Sequence, residues 1–243
     1  MKQKNCERLK METVDIQNTT NLRNLLYSFL SRSYAKEIDR EYLLKIDSTL
    51  NMLKSYNEIA EDVMLGKGIG IMENFLGKAE DQNDLIEELA LKYTTLFLNV
   101  SPNDVVKHVH PYESVYLSQE KLVMQEQRDE VLNFYDEYNI GIADDFKEPE
   151  DHIAVELAFL QKLNRDIYND LSENNMSNAL EKFKTHHDFM KQHLLRWIHL
   201  FGRDLMTADT DGFYDGLANI TLGFVRQDFM YVREAIEYFE NEI

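Results

Sequence analysis

An all-α fold is what this sequence predicts: a single compact multi-helix domain of about eight to ten helices, with a hinge near the middle. Three observations carry the prediction. Apolar residues recur at spacings of three and four along most of the chain, which is the period of one helix face. Gly (9) and Pro (3) are scarce in 243 residues, too few to punctuate many short strands and tight turns. Hydrophobic residues make up 44%, with 13 Phe and 13 Tyr, enough apolar material for a sizeable core.

Residues 1–17 read as a flexible polar lead and 18–243 as the helical domain. The first helix is expected to start near Asn18–Asn21, where capping-type residues precede Leu22, Leu25, Leu26, Phe29 and Leu30. A second follows Asp39, with Tyr42, Leu43, Ile46, Leu50 and Leu53 on one face. A third covers about 58–77. Within it, Gly66-Lys67-Gly68-Ile69-Gly70 reads as a flexible interhelix turn. It is not a phosphate loop, because no Ser or Thr follows Lys67 and no strand precedes it. A fourth helix starts at Asp84 and carries Leu85, Leu89, Tyr93, Leu96 and Phe97.

Residues 99–112, with Pro102 and Pro111, hold no steady stripe and read as a loop. A helix over 121–138 follows, with Leu122, Val131, Leu132, Phe134, Tyr135 and Tyr138. In the segment 139–149, Gly141 can stop a helix and Pro149 can sit just ahead of the next. This is the candidate hinge. Exchange of the C-terminal helices across it makes the protein a monomer or a domain-swapped dimer. Three long helices complete the chain, over about 150–172, 177–206 and 212–241. The second carries Met190, Leu194, Trp197, Phe201 and Leu205, and the third Val225, Phe229, Val232, Ile236 and Phe239.

The net charge of −18 repels nucleic acid and anionic lipid and favours basic partners. No stretch of about 18 uncharged apolar residues exists, so stable membrane insertion is not expected. The single cysteine, Cys6, lies in the polar lead, and Met1 to Thr20 holds no apolar run. A reducing, cytoplasmic location is therefore expected.

Four constellations bear on chemistry. Glu148-Pro149-Glu150-Asp151-His152-Ile153-Ala154-Val155-Glu156 has a proline and acidic residues suited to a helix start. His152 and Glu156 then share a face. The block serves either as a well-capped helix or as a site. His110-Pro111-Tyr112-Glu113-Ser114-Val115-Tyr116 lies where a loop yields to a helix. Its aromatics can stack on a ligand, or simply pack. Third, His108, His110, His186, His187, His193 and His199 invite a metal reading. His152, His187, Asp188 and Asp211 would make the set of a helical metal-dependent phosphohydrolase. Against that, His193 and Trp197 fall on the apolar stripe, where histidines usually pack. Fourth, no Gly-x-Ser-x-Gly occurs and the one Cys is in the lead, so no nucleophile motif is present.

Three blocks in order resemble the TorD/DmsD/NarJ family of redox-enzyme maturation chaperones. They are Tyr93-Thr94-Thr95-Leu96-Phe97 leading to Pro111–Tyr116, then Glu148–Glu156 with Leu157, Phe159 and Leu160, then His193-Leu194-Leu195-Arg196-Trp197 with Phe201. The resemblance implies a non-catalytic cytoplasmic chaperone without cofactor or metal. It implies a partner as well: the twin-arginine signal peptide, and the body, of a molybdenum-containing oxidoreductase, held until its cofactor is inserted. Peptide binding carries over to Pro111, Tyr112, Glu113, Ser114, Tyr116, Glu148, Pro149, Asp151, His152 and Glu156. Between Glu126 and Asp151 lie ten acidic and two basic residues, a patch that would attract an Arg-Arg peptide. Glu113 and Asp151 are the expected readers of the Arg pair, as accessible carboxylates at loop–helix junctions. The competing readings are the phosphohydrolase and a purely structural helical adaptor.

Overall fold

In the computed structural model, which describes residues 13–98, 108–138 and 147–242, the periodic stretches fold as helices. They are α1 (Thr13–Ala35), α2 (Arg40–Ala60), α3 (Val63–Leu76), α4 (Gln82–Phe97), α5 (Glu113–Leu117), α6 (Glu126–Glu137), α7 (Ile153–Ser172), α8 (Met176–Phe189), α9 (Leu195–Ala208) and α10 (Phe213–Glu242). A single π-turn, Met190–Leu194, joins α8 to α9 without a break. Among the described residues the only β-structure is one isolated bridge. The all-α class is thus the observed one.

Capping chemistry sets several starts. Asp62 accepts the Met64 and Leu65 N–H groups ahead of α3, and Asp81 accepts Asn83 and Asp84 ahead of α4, each satisfying donors that have no partner inside the helix. The first helix begins at Thr13, inside the expected polar lead, whose residues 1–12 lie outside the described residues. The helix expected from 121 begins only at Glu126, because Lys121 (φ 52°) and Met124 (φ 61°) are left-handed and cannot belong to a right-handed helix. The loop 99–107 and residues 139–146 of the expected hinge lie outside the described residues.

The Gly66–Gly70 cluster is not an interhelix turn but part of α3. The reason is close packing: α3 lies against α10, and a Cβ on Gly68 would sit 2.6 Å from the Gly216 carbonyl oxygen and 2.7 Å from the Ile220 nitrogen. Glycine here lets two backbones approach, at the expense of helix propensity.

α7 packs between α1 and α8, and α10 against α3, α8 and α9. The main core they enclose holds Tyr27, Leu30, Tyr34, Leu157, Leu160, Trp197, Phe201, Tyr214 and Phe224. A smaller cluster of Ile16, Ile167, Leu171, Phe183, Val232 and Phe239 closes the far end. Each fully buried aliphatic or Phe side chain contributes about 1.5–3 kcal/mol, so the core sets a rigid frame for the short elements between α4 and α7.

Candidate functional site

Pro111–Tyr116 and Glu148–Glu156 meet. Tyr112 and His152 form an antiparallel bridge, in which the Glu113 N–H donates to the Asp151 carbonyl (3.0 Å) and the Ile153 N–H to the Pro111 carbonyl (2.9 Å). Pro111 suits its place because it offers a carbonyl and has no N–H to leave unpaired. Asp151 then accepts the Ser114 N–H at 2.8 Å, which starts α5. His152 caps α7: its Nδ1 accepts the Ala154 N–H at 3.0 Å. Burial lowers the His152 pKa to about 3, so its ring is a neutral acceptor, as that cap requires. The Tyr112 ring stands edge-on to His152 at 5.2 Å, and its hydroxyl donates to Glu148 Oε2 at 2.5 Å.

The third block joins underneath. His193, on the π-turn, places Nδ1 3.0 Å from Glu113 Oε2. Trp197 Nε1 donates to Glu156 Oε2 at 3.2 Å, and Tyr116 stacks on the Trp197 indole at 5.7 Å. Glu113 Oε1 and Glu156 Oε1 are both buried without a hydrogen-bond partner. Burial raises Glu156 well above its ordinary value, and the charges of Glu113 and Asp151 add to this. Burial also raises Glu113, against the pull of His193, and Asp151, against the bonds from Ser114. The cluster thus holds a proton where isolated carboxyls would have lost it.

Glu113, Ser114, Asp151 and Glu156 are 0% exposed and His152 is 3% exposed. The expectation that Glu113 and Asp151 stand as accessible carboxylates is therefore corrected. The Ser114 N–H engages Asp151 and His193 engages Glu113 from within, because a short helix and a bridge fold over them. Tyr112, Tyr116, Glu148 and Pro149 are half-buried. Arg128 forks onto Glu150, with Nη2 2.8 Å from Oε1, which consumes part of the acidic patch. The metal set does not assemble either. His152 is a cap, His187 pairs with its neighbour Asp188 at 3.1 Å and stacks on Phe229, and the Asp211 N–H bonds Asp215. No group of three or more His, Cys, Asp or Glu suited to a metal occurs among the described residues.

Sequence reasoning left His193 and Trp197 as packed stripe residues, which they are, but did not give them their polar partners. The missing signal was the π-turn, which shifts the stripe by one position and turns His193 toward Glu113. Such turns recur at functional sites.

Beside the cluster, α6 presents Glu126, Asp129, Glu130, Asp136 and Glu137 to solvent. The bend before it exposes Leu122 (58%), Val123 (40%) and Met124 (59%). No helix among the described residues is long and apolar enough to cross a membrane.

The pattern of the family described as nitrate reductase delta subunit matches residues 49–203. Curated relatives include the chaperone protein TorD of Vibrio atlanticus (strain LGP32), 29% identical over 208 residues, covering 85% of this chain and 93% of the relative. TorD of Shewanella pealeana is 27% identical over 224 residues, covering 89% and 92%. TorD of Vibrio parahaemolyticus is 26% identical over 207 residues, covering 85% and 93%. These relatives are named chaperones, a non-catalytic family, and this chain is likewise not an enzyme. The chain belongs to the nitrate reductase delta subunit family.

Proposed function

We propose that this member of the nitrate reductase delta subunit family is a cytoplasmic maturation chaperone of a molybdenum-containing oxidoreductase, and that it holds the enzyme's twin-arginine signal peptide until the cofactor is in place. One observation carries the reading. The three blocks that resemble the chaperone family converge on a single buried cluster, directly under half-buried Tyr112, Tyr116 and Glu148. A cluster of this kind fixes the shape of the surface above it.

In this reading the ten motif residues divide their work. Glu113, Ser114, Asp151, His152 and Glu156 position the backbone, while Tyr112, Tyr116 and Glu148, with Pro111 and Pro149 shaping the bridge, face the peptide. The exposed carboxylates of α6 draw in the basic end of a leader, and Leu122, Val123 and Met124 offer contact to its apolar stretch. The segment 139–149 remains the proposed hinge for exchange between chains.

Calorimetric titration tests the proposal, using the leader of the client enzyme and a version with Lys-Lys in place of Arg-Arg. Tight, Arg-dependent binding is expected. A structural adaptor would bind neither leader, and equal affinity for both would remove the basis for a twin-arginine reader.

A further inference from the structure

A cleft of about 420 Å³ opens between α6 and the π-turn, lined among others by Glu130, Phe134, Glu137, His193 and Arg196. Glu130 and Glu137 lie two helical turns apart on one face of α6, are exposed, and have no ion-pair partner among the described residues. His193 is 2% exposed. Its Nδ1 faces Glu113 Oε2 at 3.0 Å, and a ring that donates there has Nε2 left to accept on the side that lines the cleft. Phe134 stands at 86° to the His193 ring, 5.3 Å away. Arg196 donates through Nη1 to the Gln192 carbonyl at 3.1 Å.

We propose that this cleft is a guanidinium subsite, taking one arginine side chain of a bound peptide. The proposal rests on the signal-peptide reading for its occupant and moves the arginine contact from the buried carboxylates of Glu113 and Asp151 to α6. The chemistry favours arginine over lysine. Two carboxylates and an imidazole nitrogen are acceptors spread around an opening, which suits the five fixed donors of a planar guanidinium better than a compact ammonium. A half-buried phenyl ring at the wall can stack on that plane. Two carboxylates against one guanidinium leave the cleft a single negative charge, which one arginine neutralises. Because His193 is tied to Glu113, an occupant here touches the same cluster that the two motifs build.

The test has two arms. In the first, the ring nitrogens of His193 are followed by NMR in the full chain while acetyl-Arg-Arg-amide, acetyl-Lys-Lys-amide or inorganic phosphate is added. The Arg dipeptide is expected to shift the His193 ring at lower concentration than the Lys dipeptide. Glu130→Gln and Glu137→Gln, both on the surface and harmless to folding, should each weaken that binding roughly three- to tenfold. Arg196→Gln should strengthen it, since it removes the competing cation. No His193 shift with the Arg dipeptide, or a shift with phosphate alone, overturns the proposal. In the second arm, the leader peptide is titrated into wild type and the Glu130→Gln/Glu137→Gln double variant. If wild type binds the leader and the double variant binds it as tightly, the arginines are read elsewhere and the subsite is wrong, while the chaperone reading stands. If the dipeptide binds in the cleft and no leader binds at all, the subsite stands and the signal-peptide reading falls.

Discussion

His193 and Glu113 hold each other across 80 residues of chain, with Nδ1 3.0 Å from Oε2 and neither side chain more than 3% exposed. The pair anchors α5 to the π-turn and lies directly beneath the surface proposed to meet the peptide. Removing one partner leaves the other buried without its bond, which typically costs about 2–4 kcal/mol. Glu113→Ala and His193→Ala should each lose that much in urea unfolding. The double variant should lose less than their sum by about 0.5–3 kcal/mol. Additive losses would mean that the two residues do not act as a unit.

Glu156 gives the cluster an alkaline weakness. Its folded pKa is raised well above 4.5, first by burial and then by the Glu113 and Asp151 charges. The native state therefore keeps a proton that the unfolded chain releases above pH 4.5. That contribution is complete below pH 4.5 and is lost as pH rises through the folded value. Glu156→Gln removes that titration while keeping a neutral side chain of similar size. Its urea midpoint should fall less between pH 5 and pH 9 than that of wild type. Identical pH slopes would show that Glu156 does not keep that proton in the fold.

How much of this was legible beforehand follows from the residues themselves. The stripes on α4, α7 and α10 were readable because burial on one face repeats every three or four residues. So were Pro149 and its acidic neighbours as a helix-start signal, although His152 rather than Pro149 sets the first turn. The glycines of α3 misled because close approach to α10 is a long-range fact: Gly68 and Gly216 are far apart in sequence. Glu113 and Asp151 misled for a related reason. A carboxylate at a loop–helix junction looks solvent-facing until the partner that covers it, here the π-turn or the bridge, is known. The family blocks fall together in one cluster, but only the fold told its buried members from its exposed ones.

Acid should weaken the same site through His152. Burial lowers its pKa from 6.5 to about 3, and His186 is lowered likewise to about 3, by burial first and then by Arg23. Both rings stay neutral in the fold while the unfolded chain protonates them. Their contribution is full above pH 6.5 and is lost as pH falls toward 3. His152→Asn retains a helix cap and removes one titration. Its acid-unfolding midpoint, followed by circular dichroism, should lie at lower pH than that of wild type relative to each protein's stability at pH 7. An unchanged or higher relative midpoint would show that His152 does not drive the acid transition.

Elsewhere in the bundle, Arg23 of α1 and Asp228 of α10 form an ion pair with side chains 2% and 0% exposed. Tyr27 donates to Asp228 Oδ2 at 2.6 Å, and His186 Nε2 lies 3.2 Å from Arg23 Nη2. Burial alone would push the Asp228 carboxyl up; Arg23 beside it holds it below the ordinary range. Two charges removed from water need each other, since the desolvation of each is offset mainly by the partner. Arg23→Met should therefore strand the Asp228 carboxylate and cost about 3–5 kcal/mol. Arg23→Met with Asp228→Leu removes both charges and keeps apolar volume, so it should recover most of that loss, the unpaired Tyr27 hydroxyl setting the remainder at about 1–3 kcal/mol. The single variant should also become more stable as pH falls toward the pKa of the stranded carboxyl, which protonation would neutralise, whereas the double variant should not. Thermal unfolding of both variants at pH 5 and pH 7 separates these outcomes. A single variant as stable as wild type, or a double variant no better than the single, would show that the pair is not what joins α1 to α10 here.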